Sequence, residues 1–469
     1  SQRHDPRIVA YRERYNTHKT LAAAPMGCDR RPPASKTTRA RSATGMRGCA
    51  AAARVALRPA CGPMRLLISF AALFLSVVLL QLGAGGIAPL DAISGLAAGF
   101  TRAEVGLLGS AHFLGFFIGC WWAPRVMGGV GHSRAFAAFI AAGTIGILAH
   151  VLVTDPYAWA GMRVLTGACI AGCYTVVESW LQAKVTNETR GRTMGTYRVV
   201  DIVGSLGAQL VIGVLEPLSY ISYARLASIC VAALWPLTLT RVPQPTIPEA
   251  PRLRPALAWQ RSPLAALGVV VSGLTTAAFR MVGPVYGVEV GLMADQIALF
   301  LAAFVLGGAL SQYPAGWLAD RYDRRWVLIW LSVAGVGASA LTVGLSGAGT
   351  GAVMFAAGVF GFMTFPIYSV SAAHAHDFAS NDERVELSAA LMFLYAVGAI
   401  ASPYVTSVLI DGFGTAAMFV FVSVAHVGLI VCGLARMRAR PTEETRTAYV
   451  YAPRTSFLLG RLLGRSRDR

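Results

Sequence analysis

Charge is scarce in this 469-residue chain. Only 14% of residues are Asp, Glu, Lys or Arg, where a soluble domain carries roughly 25%. With 55% hydrophobic residues and a mean hydropathy of +0.55, this excludes an ordinary water-solvated globule. Acids are scarcer still, 23 against 41 Lys and Arg, for a net charge of +18. That excess invites a nucleic-acid reading, but its distribution argues against one. Residues 1–63 hold thirteen Lys and Arg against three acids, and Arg436 to Arg469 holds nine Arg against three. The eight cysteines form no Cys-x-x-Cys pair and no His/Cys cluster with zinc spacing, so neither a disulfide nor a metal is expected. Cys169 and Cys173, four apart on one helix face, read as polarizable packing residues. The Gly-x4-Gly-Lys-Ser/Thr phosphate loop is missing, which argues against direct ATP drive. No Ser-His pair or His-Glu-x-x-His motif falls within an apolar run, which argues against an enzyme. No cofactor is expected.

Long apolar runs fill what remains. Twelve are long enough to cross a bilayer as helices of about 20 residues: 66–87, 103–124, 135–153, 158–180, 198–215, 222–240, 264–287, 297–318, 327–346, 351–373, 387–410 and 415–435. Residues 1–63 are Arg-, Ala- and Pro-rich without an apolar period. They read either as a disordered basic arm or, the favoured reading, as sequence upstream of a start at Met64. The segment 241–262 carries five prolines and reads as an extended polar linker between a 64–240 and a 263–435 bundle, with 436–469 as a basic tail. Basic residues in short loops mark the cytoplasmic side. Arg125, Arg134, Lys184, Arg190, Arg192, Arg241, Arg252, Arg254 and Arg261 share one side. Asp91, Asp155, Glu216, Glu289 and Asp411 fall opposite. Both termini are then cytoplasmic, and the acidic 377–386 loop is the one exception to the charge rule.

The stretch Gly316–Arg325, GWLADRYDRR, joins two of these runs in a very short charged turn. It resembles the signature loop between the eighth and ninth helices of the major facilitator superfamily, with acid, glycine and arginines at the family spacing. Repeats support the resemblance. Tyr174 is followed after thirteen residues by Asn187-Glu188-x-Arg190, and Tyr368 by Asn381-Asp382-x-Arg384. Pro124, Arg125, Gly131, His132 and Arg134 form a degenerate first-half copy of the loop, without a match for Asp320. Glu178-Ser-Trp-Leu, Thr189-Arg-Gly-Arg192, Gly283-Pro-Val-Tyr286 and the run from Tyr368 to Asp377 are similar to the bacterial YcaD-like branch, over most of 64–435. The resemblance implies an all-α integral membrane fold of twelve helices in two pseudo-symmetric six-helix bundles. It also implies a solute site near the midplane, and gating by Asp320 with Gly316, Arg321 and Arg324. Span five, reading Gly204-Ser-Leu-Gly207-Ala-Gln209, lacks the Gly-Pro-x-x-Gly-Gly of drug/proton antiporters, which lowers that reading.

Ionisable residues inside apolar runs are costly and therefore informative. Arg163 opens a run with Gly167 and Gly172, and Arg280 sits beside Gly283 and Pro284 in a run expected to kink. In this fold spans one, four, seven and ten line the cavity, so the two arginines are candidates to hold an anion. Each having its own acid partner is the competing account. Tyr174, Tyr286 and Tyr368 are further substrate-binding candidates; Glu178, Asp201 and His112 are proton candidates. For Asp201, neutralisation by Arg198 one turn away is the structural alternative. The expected function is secondary transport of a small organic solute, best an organic anion or amphiphile, by alternating access coupled to a proton gradient. A drug/proton efflux antiporter and a transporter-like solute sensor that moves nothing are the alternatives. The expected setting is a bacterial inner membrane, the expected state a monomer.

Overall fold

The computed structural model describes residues 62–184, 190–238, 253–380 and 382–439. Residues 1–61 of the basic extension, Asn187 and Glu188 of the first repeat mark, Asn381 of the second, 239–240 of the first bundle, 241–252 of the linker and 440–469 of the tail lie outside the described residues. Among the described residues twelve helices are long and apolar enough to cross a membrane. Spans one to six are Phe70–Ala97, Arg102–Val130, His132–Ala149, Pro156–Leu181, Thr193–Val214 and Tyr220–Thr238. Spans seven to twelve are Pro263–Glu289, Ala294–Arg321, Arg324–Gly344, Thr350–Asp377, Arg384–Phe413 and Ala417–Arg438.

Local chemistry sets where these helices begin and stop. Thr101 and Glu104 form a capping box at the start of span two, satisfying two end N–H groups reciprocally. Gly131, at φ +83°, reverses the chain between spans two and three, a conformation a side chain would resist. Asp323 accepts from the Arg325 backbone N–H and caps span nine, so only Tyr322 and Asp323 separate spans eight and nine.

Close backbone contact then welds pairs of spans together. A Cβ on Gly115 of span two would lie 1.9 Å from the Val164 carbonyl oxygen, and one on Gly167 of span four 2.2 Å from that of His112. The second half repeats the device between spans eight and ten. There a Cβ on Gly307 would lie 2.0 Å from the Gly358 carbonyl oxygen, and one on Gly361 2.1 Å from that of Phe304. In an apolar solvent, helix association depends on this kind of van der Waals contact, and small residues permit it. The recurrence is the pseudo-symmetry of the two bundles expressed in packing.

Two sequence expectations are corrected. Span one does not end near 87. Its helix pauses at Gly86 and restarts as Ile87–Ala97, because Pro89 falls in the first turn, where a missing N–H costs no intrahelical bond. Asp91, expected in an outer loop, is therefore inside the bundle and buried. The linker is not extended throughout, since Pro255–Arg261 is helical with Pro255 in its first turn. Leu257 and Ala258 are buried in a small core with Leu387 and Ala390 of span eleven. Arg254 pairs with Glu386 at 3.0 Å, and Arg261 donates to Glu383. The exceptional acidic loop is thereby explained: its carboxylates anchor the linker helix.

A bond from Arg261 holds the Glu383 carboxyl below the usual carboxylate range. A depressed pKa adds stability above the unfolded value, lost as pH falls through the folded one. The melting-temperature gap between the wild type and Glu383→Gln should be present at neutral pH and close as pH drops below about 4.5. Gly115→Val should lower stability by about 1–3 kcal/mol through overpacking against Val164, read as an earlier thermal unfolding in detergent.

Candidate functional site

Three spans are interrupted at one level, and a cavity lies where they break. Span one pauses at Gly86. Span seven opens into a π turn over Ala278–Val282 before Gly283 and Pro284. Span ten breaks at Phe365 and Pro366 between Thr364 and Ile367. Irregular backbone at such depth is tolerated only where it is buried in protein or lines a cavity. The cavity holds about 180 Å³ and is bounded by Gly85, Ala88 and Pro89 of span one, Arg280 and Met281 of the π turn, and Phe365, Tyr368 and Ser369 of span ten. Span four adds Arg163, Ile170 and Tyr174. Of these breaks, the one at Gly283 and Pro284 had been read from the sequence.

Among the described residues the lining carries two arginines and no carboxylate. Gln81, Gln209 and Ser272 supply neutral hydrogen-bonding groups, while Phe113, Phe116, Phe365, Tyr174, Tyr368 and Tyr395 supply aromatic surface. Tyr368 and Tyr395 meet edge to face at 5.3 Å, and Phe117 of span two meets Phe393 of span eleven across the halves at 5.4 Å. Arg280 reaches across to Ser205 of span five, Nη2 to Oγ 3.4 Å. Arg163 is 1% exposed and has Asp91 behind it, Nε to Oδ2 3.5 Å. Asp91 also accepts from the Tyr223 hydroxyl at 3.0 Å. Arg163 thus has the acid partner that the competing account required, yet it remains in the cavity wall.

The sequence candidates divide. Arg163, Arg280, Tyr174, Tyr368 and His112 come together at the cavity. Tyr286 does not. It lies in an aromatic core against Phe300 and Phe419, with its hydroxyl 3.4 Å from the Thr342 carbonyl, and is withdrawn from the substrate-binding set. Glu178 is buried away from the lining and accepts from Tyr197 at 3.1 Å. Asp201 accepts from Gln81 at 2.5 Å, with Arg198 at 3.9 Å, so a cavity glutamine rather than the helical neighbour is its nearer partner. Asp320 is half-exposed and pairs at 3.3 Å with Arg324, which is buried and reaches Asp377 of span ten at 2.8 Å. Arg321 lies over the Trp317 ring, and Gly316 is buried.

Sequence reasoning missed two groups. At the opposite end from Asp320, Arg102 of span two joins the halves by pairing with Glu289 of span seven at 2.6 Å and Asp411 of span eleven at 3.0 Å. Glu289 and Asp411 had served only as topology markers, and nothing in the sequence pairs them with Arg102. The second group is Asp91, His150 and Tyr223 around Arg163. Its sequence signal was an acid within reach of an apolar run that was cut too short.

Comparison with known proteins places this architecture. The model of the Major Facilitator Superfamily matches residues 265–467. An uncharacterized MFS-type transporter of Yersinia pestis (strain Pestoides F) is 28% identical over 353 residues, covering 74% of this chain and 88% of that protein. The uncharacterized MFS-type transporter YcaD of Escherichia coli O7:K1 is 28% identical over 335 residues, covering 70% and 85%. Among solved structures, the nucleoside transporter NupG aligns with a TM-score of 0.64 at 16% identity, over 81% of this chain and 99% of that one. A bacterial homolog of the human lysosomal transporter Spinster, in an inward-facing and occupied conformation, aligns with a TM-score of 0.64 at 14% identity, over 79% and 97%. Twelve spans among the described residues, a cavity at the helix breaks and these relatives agree: the chain is a multi-pass membrane protein, similar over most of its length to transporters of the major facilitator superfamily.

Proposed function

We propose that this transporter carries a small organic anion with an aromatic or amphiphilic body, by alternating access and in company with protons. The observation that carries the reading is the cavity wall, with Arg163 and Arg280 on it and, among the described residues, no carboxylate in its lining. A guanidinium in a low-dielectric wall forms charge-assisted bonds to a carboxylate about twice as strong as neutral ones. The rings around it suit a flat apolar body. Lipophilic cations would meet two guanidinium groups in the lining.

Alternating access needs an end of the cavity that opens and closes. Arg102 with Glu289 and Asp411 forms the clasp at one end, supported by Ser110 of span two accepting from the Tyr404 backbone N–H of span eleven at 3.2 Å. The Asp320, Arg324 and Asp377 group lies at the other. The excess of basic residues at the Asp320 end supports a cytoplasmic placing of that end.

The substrate class is tested by thermal shift on the purified full chain against aromatic and aliphatic carboxylates, amino acids, sugars and lipophilic cations. A true ligand at 100 times its dissociation constant should stabilise by about 2.7 kcal/mol. Arg280→Ala and Arg163→Ala should each weaken an acid hit by roughly 10- to 100-fold. Hits confined to cations would sink the anion reading. For the clasp, Arg102→Ala should increase labelling of Ser407→Cys, which sits against Gly106 of span two, by a membrane-impermeant maleimide. Unchanged labelling would remove Arg102 from the gate.

A further inference from the structure

His112 lies within span two and lines the cavity together with Phe113 and Phe116 of the same helix. Neighbours fix its place. Gly167 of span four sits against its backbone carbonyl, and its ring meets Phe113 edge to face at 5.5 Å and Phe116 at 6.3 Å. Nδ1 is shut away from water and has no hydrogen-bond partner among the described residues. The residue as a whole is only partly buried. The polar atom left to face the cavity is therefore Nε2.

The position of the ring hydrogen follows. A neutral imidazole carries one N–H and one lone pair. Buried N–H groups without an acceptor are rarer than under-satisfied buried acceptors. The lone pair thus belongs on the enclosed Nδ1 and the hydrogen on Nε2. The charges that act on the ring are those of Arg163 from span four and Arg280 from span seven, both positive. A third positive charge at this place would be opposed by the other two. His112 consequently presents a neutral donor beside two cationic ones. The two guanidiniums can engage both oxygens of a carboxylate. A third donor is best met by a further oxygen of the solute, close to those two.

We propose that His112 is a specificity-determining residue of the cavity: its Nε2–H donates to an oxo or hydroxyl oxygen on the carbon next to the solute's carboxylate. This narrows the anion-carrier reading above, on which it rests, to α-oxo and α-hydroxy acids with an aromatic or amphiphilic body. The ring acts as a neutral donor and gives up no proton. Discrimination comes from the enclosure of the site. An acid that lacks the extra oxygen displaces water from the cavity and leaves Nε2–H unpaired, and an unmade buried hydrogen bond is costly.

The test compares acids that share a carbon skeleton, by thermal shift and titration calorimetry on the purified full chain. The aromatic set is phenylpyruvate, phenyllactate and hydrocinnamate; the aliphatic set is α-ketoisocaproate, α-hydroxyisocaproate and isocaproate. In whichever set binds, the oxo and hydroxy acids should bind roughly 3- to 10-fold more tightly than the unsubstituted parent. His112→Phe should abolish that difference while the parent acid still binds. His112→Gln, whose amide nitrogen can take the place of Nε2, should restore it. Equal affinities in the wild type, or a difference that survives in His112→Phe, would remove His112 from recognition and leave the anion reading standing. Binding by none of the six acids sinks the anion reading and the role of His112 with it. Should His112→Phe not fold, nitrogen spectra of histidine-labelled wild type in lipid nanodiscs decide, with the His112 signals assigned by their loss in His112→Gln. A neutral ring with its hydrogen on Nε2 from about pH 8 to about pH 5 is the expected result. A hydrogen on Nδ1 overturns the proposal, and so does an imidazolium in that range, which would return the ring to the proton role expected from the sequence.

Discussion

A guanidinium buried in an apolar bundle has to be compensated where it lies, and Arg163 sets that requirement for the first half of the molecule. Placing it at mid-membrane costs about 2.5–3.5 kcal/mol on insertion scales. Asp91 compensates it, and to do so span one must continue past its glycine pause to Ala97. Asp91 in turn is held by Tyr223 from span six and faces His150 from the end of span three. One charge thus organises the ends of four spans. It also leaves a guanidinium in the cavity wall with its acid partner Asp91 beside it.

The second organising constraint is the backbone. In lipid every N–H and C=O must be satisfied within the protein, so a broken helix is confined to a place where the protein covers it. Gly86 in span one, the π turn in span seven and Pro366 in span ten occur together for that reason. The π turn has a direct consequence: it places Arg280 at the cavity and lets it reach Ser205 of the other half.

The two ends of the molecule use charge differently. At one end Arg102 ties span two to spans seven and eleven, and its side-chain atoms are over a third exposed. Exposed pairs of this kind contribute roughly 0–1 kcal/mol each, so charge holds this end only weakly. At the other end Arg324 is buried between Asp320 and Asp377 within the second half, and Arg261 with Glu383 fastens the linker helix to that half. These hold a bundle together rather than the two halves to each other.

Much of this was legible in the sequence. Apolar runs and short charged turns determined the spans, because the bilayer fixes their length and excludes charge from their middles. Gly283 and Pro284 marked the break in span seven, and the resemblance put Arg163, Tyr174, Arg280 and Tyr368 on cavity-lining spans four, seven and ten, whereas the cavity place of His112 in span two was not read from the sequence. Tyr286 could not be separated from them, since one turn along a kinked helix decides whether a side chain meets the cavity or the Phe300 core. Partners were decided only by the tertiary structure. Asp91 with Arg163 and His150, Gln81 with Asp201, and Arg102 with Glu289 and Asp411 are 59 or more residues apart in the chain and share no periodicity. Helical spacing reports which face a residue occupies, but not which face of another helix will be turned toward it.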